Sequence, residues 1–91
     1  MKNIMLEPIW GRITDVIRNV FLDDELQVTE TTTATDVPGW DSLMHVTIII
    51  NLEKAFGLRF ASAEITALKT VGDLARLVRR HLEAKAALVA A

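Results

Sequence analysis

The chain has 91 residues, enough for one small domain, and 51% of them are hydrophobic, which argues for a folded protein. It has no cysteine, which excludes disulfides, zinc–thiolate sites and a cysteine nucleophile. The net charge of −2 argues against nucleic acid as the main partner. No apolar run is long enough to span a membrane and no signal peptide is evident, so we expect a cytoplasmic location without stable membrane insertion.

The charge is unevenly distributed along the chain. Residues 1–45 contain eight acidic and three basic residues, a balance of −5, whereas residues 46–91 contain four acidic and seven basic residues, a balance of +3. An acidic first half can steer a basic partner towards it, although an ordinary solvated surface would show the same residues.

The first predicted element is a helix over residues 5–20. Pro8 is tolerated there because its missing N–H is not needed in a first helical turn. Apolar residues recur at helical spacing: Ile9, Ile13, Val16, Ile17 and Val20.

Residues 22–41 predict a long ordered loop. The stretch is rich in Asp, Thr and Glu and ends in Val-Pro-Gly-Trp. We expect Leu22, Leu26 and Val28 to pin it to the core. The acidic run over residues 23–25 lacks the periodicity of a calcium-binding loop, so it is interpreted as a solvated turn.

A second helix is expected from Asp41 or Ser42 to about Phe56, because Asp41 is a good N-cap and Gly57 a good helix stop. Residues 58–69 predict a short helical turn opened by Ser62.

The side chains of Ile65 and Leu68 should be buried and should pack that short turn against the core. The last helix should begin with Thr70, whose spacing to Asp73 resembles a capping box. Its expected core residues are Val71, Leu74, Leu77, Val78 and Leu82.

These elements predict an all-α fold, a small bundle of three main helices plus a short helix three, with a long loop between helices one and two. We expect one domain over residues 1–84. Residues 85–91 have high helix propensity but little to stop fraying, and are expected to form a C-terminal tail.

The second helix carries two apolar stripes when it is projected at roughly 100° per residue. One is the expected core stripe: Ile48, Ile49, Leu52 and Phe56. The other consists of Leu43, Val46 and Ile50, and Ser42 lies near the boundary between the two. Either the helix is buried on two sides, or the second stripe is exposed and meets a partner or a second copy of the chain.

A hydrolytic nucleophile is an alternative role for Ser42, but the surrounding residues argue against it. The G-x-S-x-G pattern is absent, and a serine and His45 at i, i+3 on one helix rarely reach in-line geometry. His45 is therefore interpreted as a packing or edge residue, with partner binding or the orientation of a phosphate on Ser42 as the alternative. No metal-ligand spacing and no Gly-rich phosphate loop is present. The remaining alternative is a helical adaptor that binds a protein or lipid through Leu43, Val46 and Ile50.

The segment PGWDSLMHVTIIINLEKAFGLRF resembles the core of acyl carrier proteins. The family motif is Asp41-Ser42-Leu43 at the start of the second helix. The spacing to Leu-Glu-x-x-Phe over residues 52–56 and the later Thr70-Val71 also match, so the resemblance extends to about Leu82.

The resemblance implies that a phosphopantetheinyl transferase moves 4′-phosphopantetheine from coenzyme A to Ser42, with Asp41 and Leu43 beside it. It also implies a carrier, not an enzyme, which holds acyl or aminoacyl groups as thioesters for acyl-loading and acyl-processing enzymes. We expect a monomer, with self-association through the second stripe as the alternative. The positions implied for partner binding are Leu43, Met44, Val46, Ile50 and Glu53.

Carriers of fatty acid synthesis usually have an acidic second helix, whereas Met44, His45 and Thr47 stand in those positions here. The pathway could be polyketide, fatty acid, nonribosomal peptide or related biosynthesis. The neutral face favours a freestanding carrier of a specialised pathway.

Overall fold

The computed structural model describes residues 6–90, and the side chains of residues 8–88. The described elements are α1 (Leu6–Phe21), a short 3-10 helix (Ala34–Asp36), α2 (Ser42–Phe56), α3 (Ser62–Thr66) and α4 (Val71–Ala90). The predicted bundle of three main helices, a short third helix and a long first loop is confirmed. Residues 1–5 and 91, which belong to the predicted domain and tail, lie outside the described residues, and the division at residue 84 stays a prediction.

The core lies where α1 packs against both α2 and α4. Burial of a large aliphatic side chain stabilises the folded state by roughly 1.5–3 kcal/mol. Buried side chains that lie between the three long helices therefore determine how these helices pack. The largest fully buried ones are Ile13, Ile17, Ile48, Leu52, Leu77 and Val78.

The predicted helix caps are confirmed. Asp41 Oδ1 accepts a hydrogen bond from the Met44 N–H at 2.9 Å. Gly57 ends α2 in the left-handed conformation with φ +65°, which a residue without a Cβ adopts at little cost. At the start of α4, the Asp73 N–H donates to Thr70 Oγ1 at 3.0 Å and Asp73 Oδ2 accepts from the Thr70 N–H at 3.2 Å.

Backbone hydrogen bonds hold the loop between α1 and α2 against the start of α4. The Val71 N–H donates to the Thr32 carbonyl and the Gly72 N–H to the Glu30 carbonyl, each at 2.9 Å. The first N–H groups of a helix have no partner within the helix, so the loop satisfies them. The loop that leads to Ser42 is therefore anchored at its midpoint.

The prediction that Leu22 pins this loop is wrong. Leu22 follows the last residue of α1 in a left-handed conformation with φ +54°, and this turn directs 92% of its surface to solvent. Val28 is buried and Leu26 half-buried, as expected, and Val37 adds a buried contact that was not predicted.

Some apolar residues expected in the core lie at its edge instead. They are half-buried: Val16, Val20, Ile65, Leu68 and Leu82. The short α3 has only five residues and contains no buried one, because a single turn cannot cover the core from both sides. On α1, Val16 and Val20 line an open groove of about 550 Å³ beside α2.

The 3-10 helix in the loop was not predicted. Asp36 Oδ2 accepts from the Thr33 N–H at 2.9 Å, and the Asp36 N–H donates to the Thr33 carbonyl at 3.0 Å. The Thr-x-x-Asp spacing that predicts the start of α4 also occurs at residues 33–36, and this was the signal that could have revealed it.

The last helix continues to Ala90, and Lys85 Nζ donates to the Gly57 carbonyl at 3.1 Å. This contact joins the far part of α4 to the end of α2. Within residues 6–90, the structure contains no helix whose length and apolarity would allow it to cross a membrane.

Gly72→Ala should destabilise the fold, because an added Cβ would lie 2.7 Å from the Glu30 carbonyl oxygen and separate the loop from α4. Because the hydrogen bonds from Val71 and Gly72 to the loop would both weaken, we expect the free energy of unfolding, measured with urea, to fall by about 1–3 kcal/mol.

Gly11→Ala is the matched control, since a Cβ at this helical glycine would have no atom within 4 Å. It should raise the free energy of unfolding by about 0.5–1 kcal/mol. Equal effects of the two substitutions would contradict the anchoring role of Gly72.

Candidate functional site

The site is positioned by a tight turn before α2. The Trp40 N–H donates to the Val37 carbonyl at 3.1 Å, and Gly39 between them has φ +88°. Pro38 and Gly39 occupy the two central positions, the order that a type II turn favours because its third residue needs a positive φ. The Pro-Gly pair therefore directs the chain from the anchored loop into the first turn of α2.

Ser42 is the first residue of α2 and its side chain is exposed. Asp41 is the N-cap and accepts from the Met44 N–H, so the Ser42 hydroxyl is not needed for capping. A hydroxyl at this place lies at the positive end of a 15-residue helix, where first-turn N–H groups favour an attached or bound phosphate.

An aromatic row supports the turn from behind. The ring centroids of Phe21 and Trp40 are 5.7 Å apart, and those of Trp40 and His45 are 6.2 Å apart. Trp40 Nε1 donates to His45 Nδ1 at 3.2 Å. The row joins the end of α1, the turn and the first turns of α2, and so restricts movement of the segment that presents Ser42.

The same contact defines the state of His45. An indole nitrogen can only donate, so Nδ1 must accept and the proton of the neutral ring lies on Nε2. Burial lowers the pKa of His45 below its ordinary value, which favours this neutral form. Neither ring nitrogen can then accept a proton from Ser42. The packing interpretation of His45 is confirmed, and the geometry gives no support to a hydrolytic pair.

The sequence did not predict the Trp40–His45 hydrogen bond. The two residues are five apart across the start of a helix, a spacing for which neither helix nor strand periodicity predicts a contact. The Pro-Gly pair was the available signal, because a turn at residues 38–39 directs Trp40 back towards α2.

The second stripe of α2 is exposed. The relative exposures of its side chains are 73% for Leu43, 52% for Val46 and 44% for Ile50. The choice between burial on two sides and an exposed stripe is therefore settled in favour of exposure. We call these three residues the exposed stripe; it begins directly beside Ser42.

The other two residues expected at the partner face are engaged within the chain. Met44 is half-buried and lines the groove between α1 and α2. Glu53 is half-buried, and its Oε2 accepts from the Phe60 N–H at 2.9 Å. The structure thus brings Asp41, Ser42 and the exposed stripe together, with Met44 and Glu53 at the margins.

The acidic run in the first loop forms a local turn, in which Asp23 Oδ1 accepts from the Glu25 N–H at 3.1 Å. Within the described part of the chain, no three His, Asp or Glu side chains come together as metal ligands.

Comparisons with known proteins agree with this geometry. A family model described as "Phosphopantetheine attachment site" matches residues 11–78. The chain is 32% identical over 76 residues to the acyl carrier protein of Thermotoga maritima, which covers 84% of this chain and 94% of that protein. It is 33% identical over 75 residues to the acyl carrier protein of Lactobacillus acidophilus, with coverage of 82% and 94%.

The solution structure of a holo acyl carrier protein from Geobacter metallireducens is similar with a TM-score of 0.80 and 42% sequence identity. The match covers 86% of this chain and 90% of that one. These findings do not favour the alternative of a helical adaptor. The chain belongs to the acyl carrier protein family, whose members are carriers rather than catalysts, and it uses 4′-phosphopantetheine to carry acyl groups in fatty acid or related biosynthesis.

Proposed function

We propose that Ser42 is the residue to which 4′-phosphopantetheine is attached. The chain has two serines, Ser42 and Ser62, and both are exposed at the first position of a helix. The observation that carries the proposal is that Asp41, and not Ser42, caps α2. The Ser42 hydroxyl therefore stays exposed beside an apolar surface. Ser62 opens a helix of only five residues.

The surroundings of Ser42 suit a phosphodiester. Its negative charge would face the first-turn N–H groups of α2, and the carboxylate of Asp41 is directed to the Met44 N–H. When bound, the arm supplies the thiol that holds the acyl group, chemistry that a chain without cysteine cannot provide itself. The residues of the chain position the attachment point and present a surface for partner enzymes.

That surface is the exposed stripe. A phosphopantetheinyl transferase with coenzyme A as donor, and enzymes that load and process the acyl group, must all reach Ser42 and would cover Leu43, Val46 and Ile50. Met44 and Glu53 would lie at the edge of the contact. We infer a monomer, because self-association through the same stripe would cover the surface that partners need.

We further propose that partners recognise α2 mainly through apolar contact, as expected for a carrier of a specialised pathway. The first turn of α2 contains no acidic residue, and Glu53 is already bound to the Phe60 N–H. Thr47 Oγ1 donates to the Leu43 carbonyl within the helix at 2.9 Å, so its hydroxyl proton is already engaged and is not offered to a partner.

Ser42→Ala should abolish transfer of the arm. Incubation of the apo protein with coenzyme A and a broad-specificity transferase should add one phosphopantetheine to the intact mass of the unmodified chain and of Ser62→Ala, and none to Ser42→Ala. The folded state should persist in both variants, as checked by circular dichroism. A gain that survives Ser42→Ala and is lost in Ser62→Ala would contradict the assignment.

Leu43→Ser should lower kcat/KM for arm transfer about tenfold while changing the free energy of unfolding by no more than about 0.5 kcal/mol, because an exposed apolar contact to the enzyme is lost. Leu88→Ser is the matched control, since Leu88 is 80% exposed near the carboxyl end of α4. Equal kinetics of the two variants would argue against docking on the stripe.

Elongation by a housekeeping fatty acid synthase tests the pathway proposal. The holo chain should be elongated at a lower kcat/KM than the carrier native to that synthase, because the acidic contacts on α2 are missing. Equal values for the two carriers would count against a specialised pathway.

A further inference from the structure

Part of the positive charge of the second half of the chain is gathered in one groove. Arg76, Arg79 and Arg80 share one face of α4, at spacings of three and four residues. Together with α3 they line a groove of about 610 Å³, in which Ala63 and Ala67 allow close approach. We call this the arginine groove; it does not include Ser42 or the exposed stripe.

Two carboxylates in the groove are already engaged by local partners. Arg76 Nη2 donates to Asp73 Oδ1 at 2.8 Å. This hydrogen bond is the largest cause of a lowered pKa of Asp73, and the backbone N–H groups of Lys69 and Thr70 add to it. The Ala61 N–H donates to Glu64 at 2.9 Å and His81 Nε2 lies 3.0 Å from the same oxygen, which together lower the pKa of Glu64. Both carboxylates therefore accept hydrogen bonds at the start of a helix, Glu64 at α3 and Asp73 at α4.

Arg79 and Arg80 are less closely engaged, although the charge of Arg80 contributes, after the hydrogen bonds from Ala61 and His81, to lowering the pKa of Glu64. Among the described side chains, neither forms an ion pair with a carboxylate, whereas Arg76 also lies 3.7 Å from Glu30. Arg79 Nε is buried and has no hydrogen-bond acceptor among the described residues. A buried donor without an acceptor is unfavourable, so an acceptor brought by a ligand would relieve it.

We propose that the arginine groove is a second docking surface, which receives an acidic polypeptide segment of a partner enzyme. The nature of the occupant follows from charge. Arg79 and Arg80 form no ion pair with a carboxylate of residues 8–88, and they lie in a concave site whose own acids are engaged by closer partners. A peptide can enter a groove between two helices, whereas a flat lipid surface would meet its rim.

The second surface would add what the exposed stripe lacks. Apolar contact has no preferred direction, so the three residues beside Ser42 constrain only weakly how the carrier is oriented on its partner. Charge complementarity at a separate place fixes orientation and selects among partners.

The test is a titration of the ¹⁵N-labelled full chain with a hexaglutamate peptide, followed by NMR. Amide shifts should concentrate in α3 and in the first half of α4, and they should vanish in 1 M salt, where the Debye length is about 3 Å. Arg79→Gln/Arg80→Gln should raise Kd about fivefold, the effect of losing an exposed ion pair at Arg80 and a half-buried one at Arg79.

The matched control is Lys54→Gln/Arg59→Gln, which removes the same charge outside the groove and should leave Kd unchanged. Arg80→Gln alone should raise Kd about twofold, and it keeps the test decisive if the Arg79 change alters the fold. Ser42→Ala should bind like the unmodified chain, so loss of arm transfer and loss of docking are distinguishable.

Three results would overturn the proposal. They are an unchanged Kd in Arg79→Gln/Arg80→Gln, shifts confined to α1 and α2, and binding to phosphatidylglycerol vesicles that requires these arginines when the peptide does not bind.

Discussion

Two backbone hydrogen bonds set the geometry on which the site depends. The N–H groups of Val71 and Gly72, left without partners at the start of α4, donate to the carbonyls of Thr32 and Glu30 in the long loop. The loop makes turn-type backbone hydrogen bonds within itself, and the carbonyls of Thr32 and Glu30 in addition accept from α4, so each segment satisfies groups of the other. The chain enters the turn before Ser42 from a point that α4 holds in place.

From that anchor, the site separates tasks that one residue could otherwise combine. Asp41 ends the loop and caps α2, the Trp40–His45 contact supports the turn, and Ser42 is left with an exposed hydroxyl. The core stripe of α2 binds the helix to the bundle while the exposed stripe faces solvent. A fold of this size has little apolar surface to spare, and three exposed aliphatic residues that lie together beside one hydroxyl support the proposed contact surface.

Local chemistry was sufficient to predict where α2 begins and ends, because Asp41 caps the helix through its side chain and Gly57 ends it through its backbone conformation. It also identified two apolar stripes, but not which one would be covered, since that depends on where α1 and α4 pack. The error at Leu22 has the same origin: hydrophobicity predicts burial, yet the turn after α1 directs this side chain outward. The Trp40–His45 contact was missed because it depends on a tertiary arrangement that the turn creates.

The central claim is that the carrier function of the chain is centred on Ser42. Fragmentation mass spectrometry of the protein purified from its native host tests this most directly, because it locates the arm and its cargo on a peptide without a chosen transferase. The account predicts a single phosphopantetheine on the peptide that contains Ser42. An arm located on the peptide that contains Ser62, or its absence from the whole protein population, would contradict it.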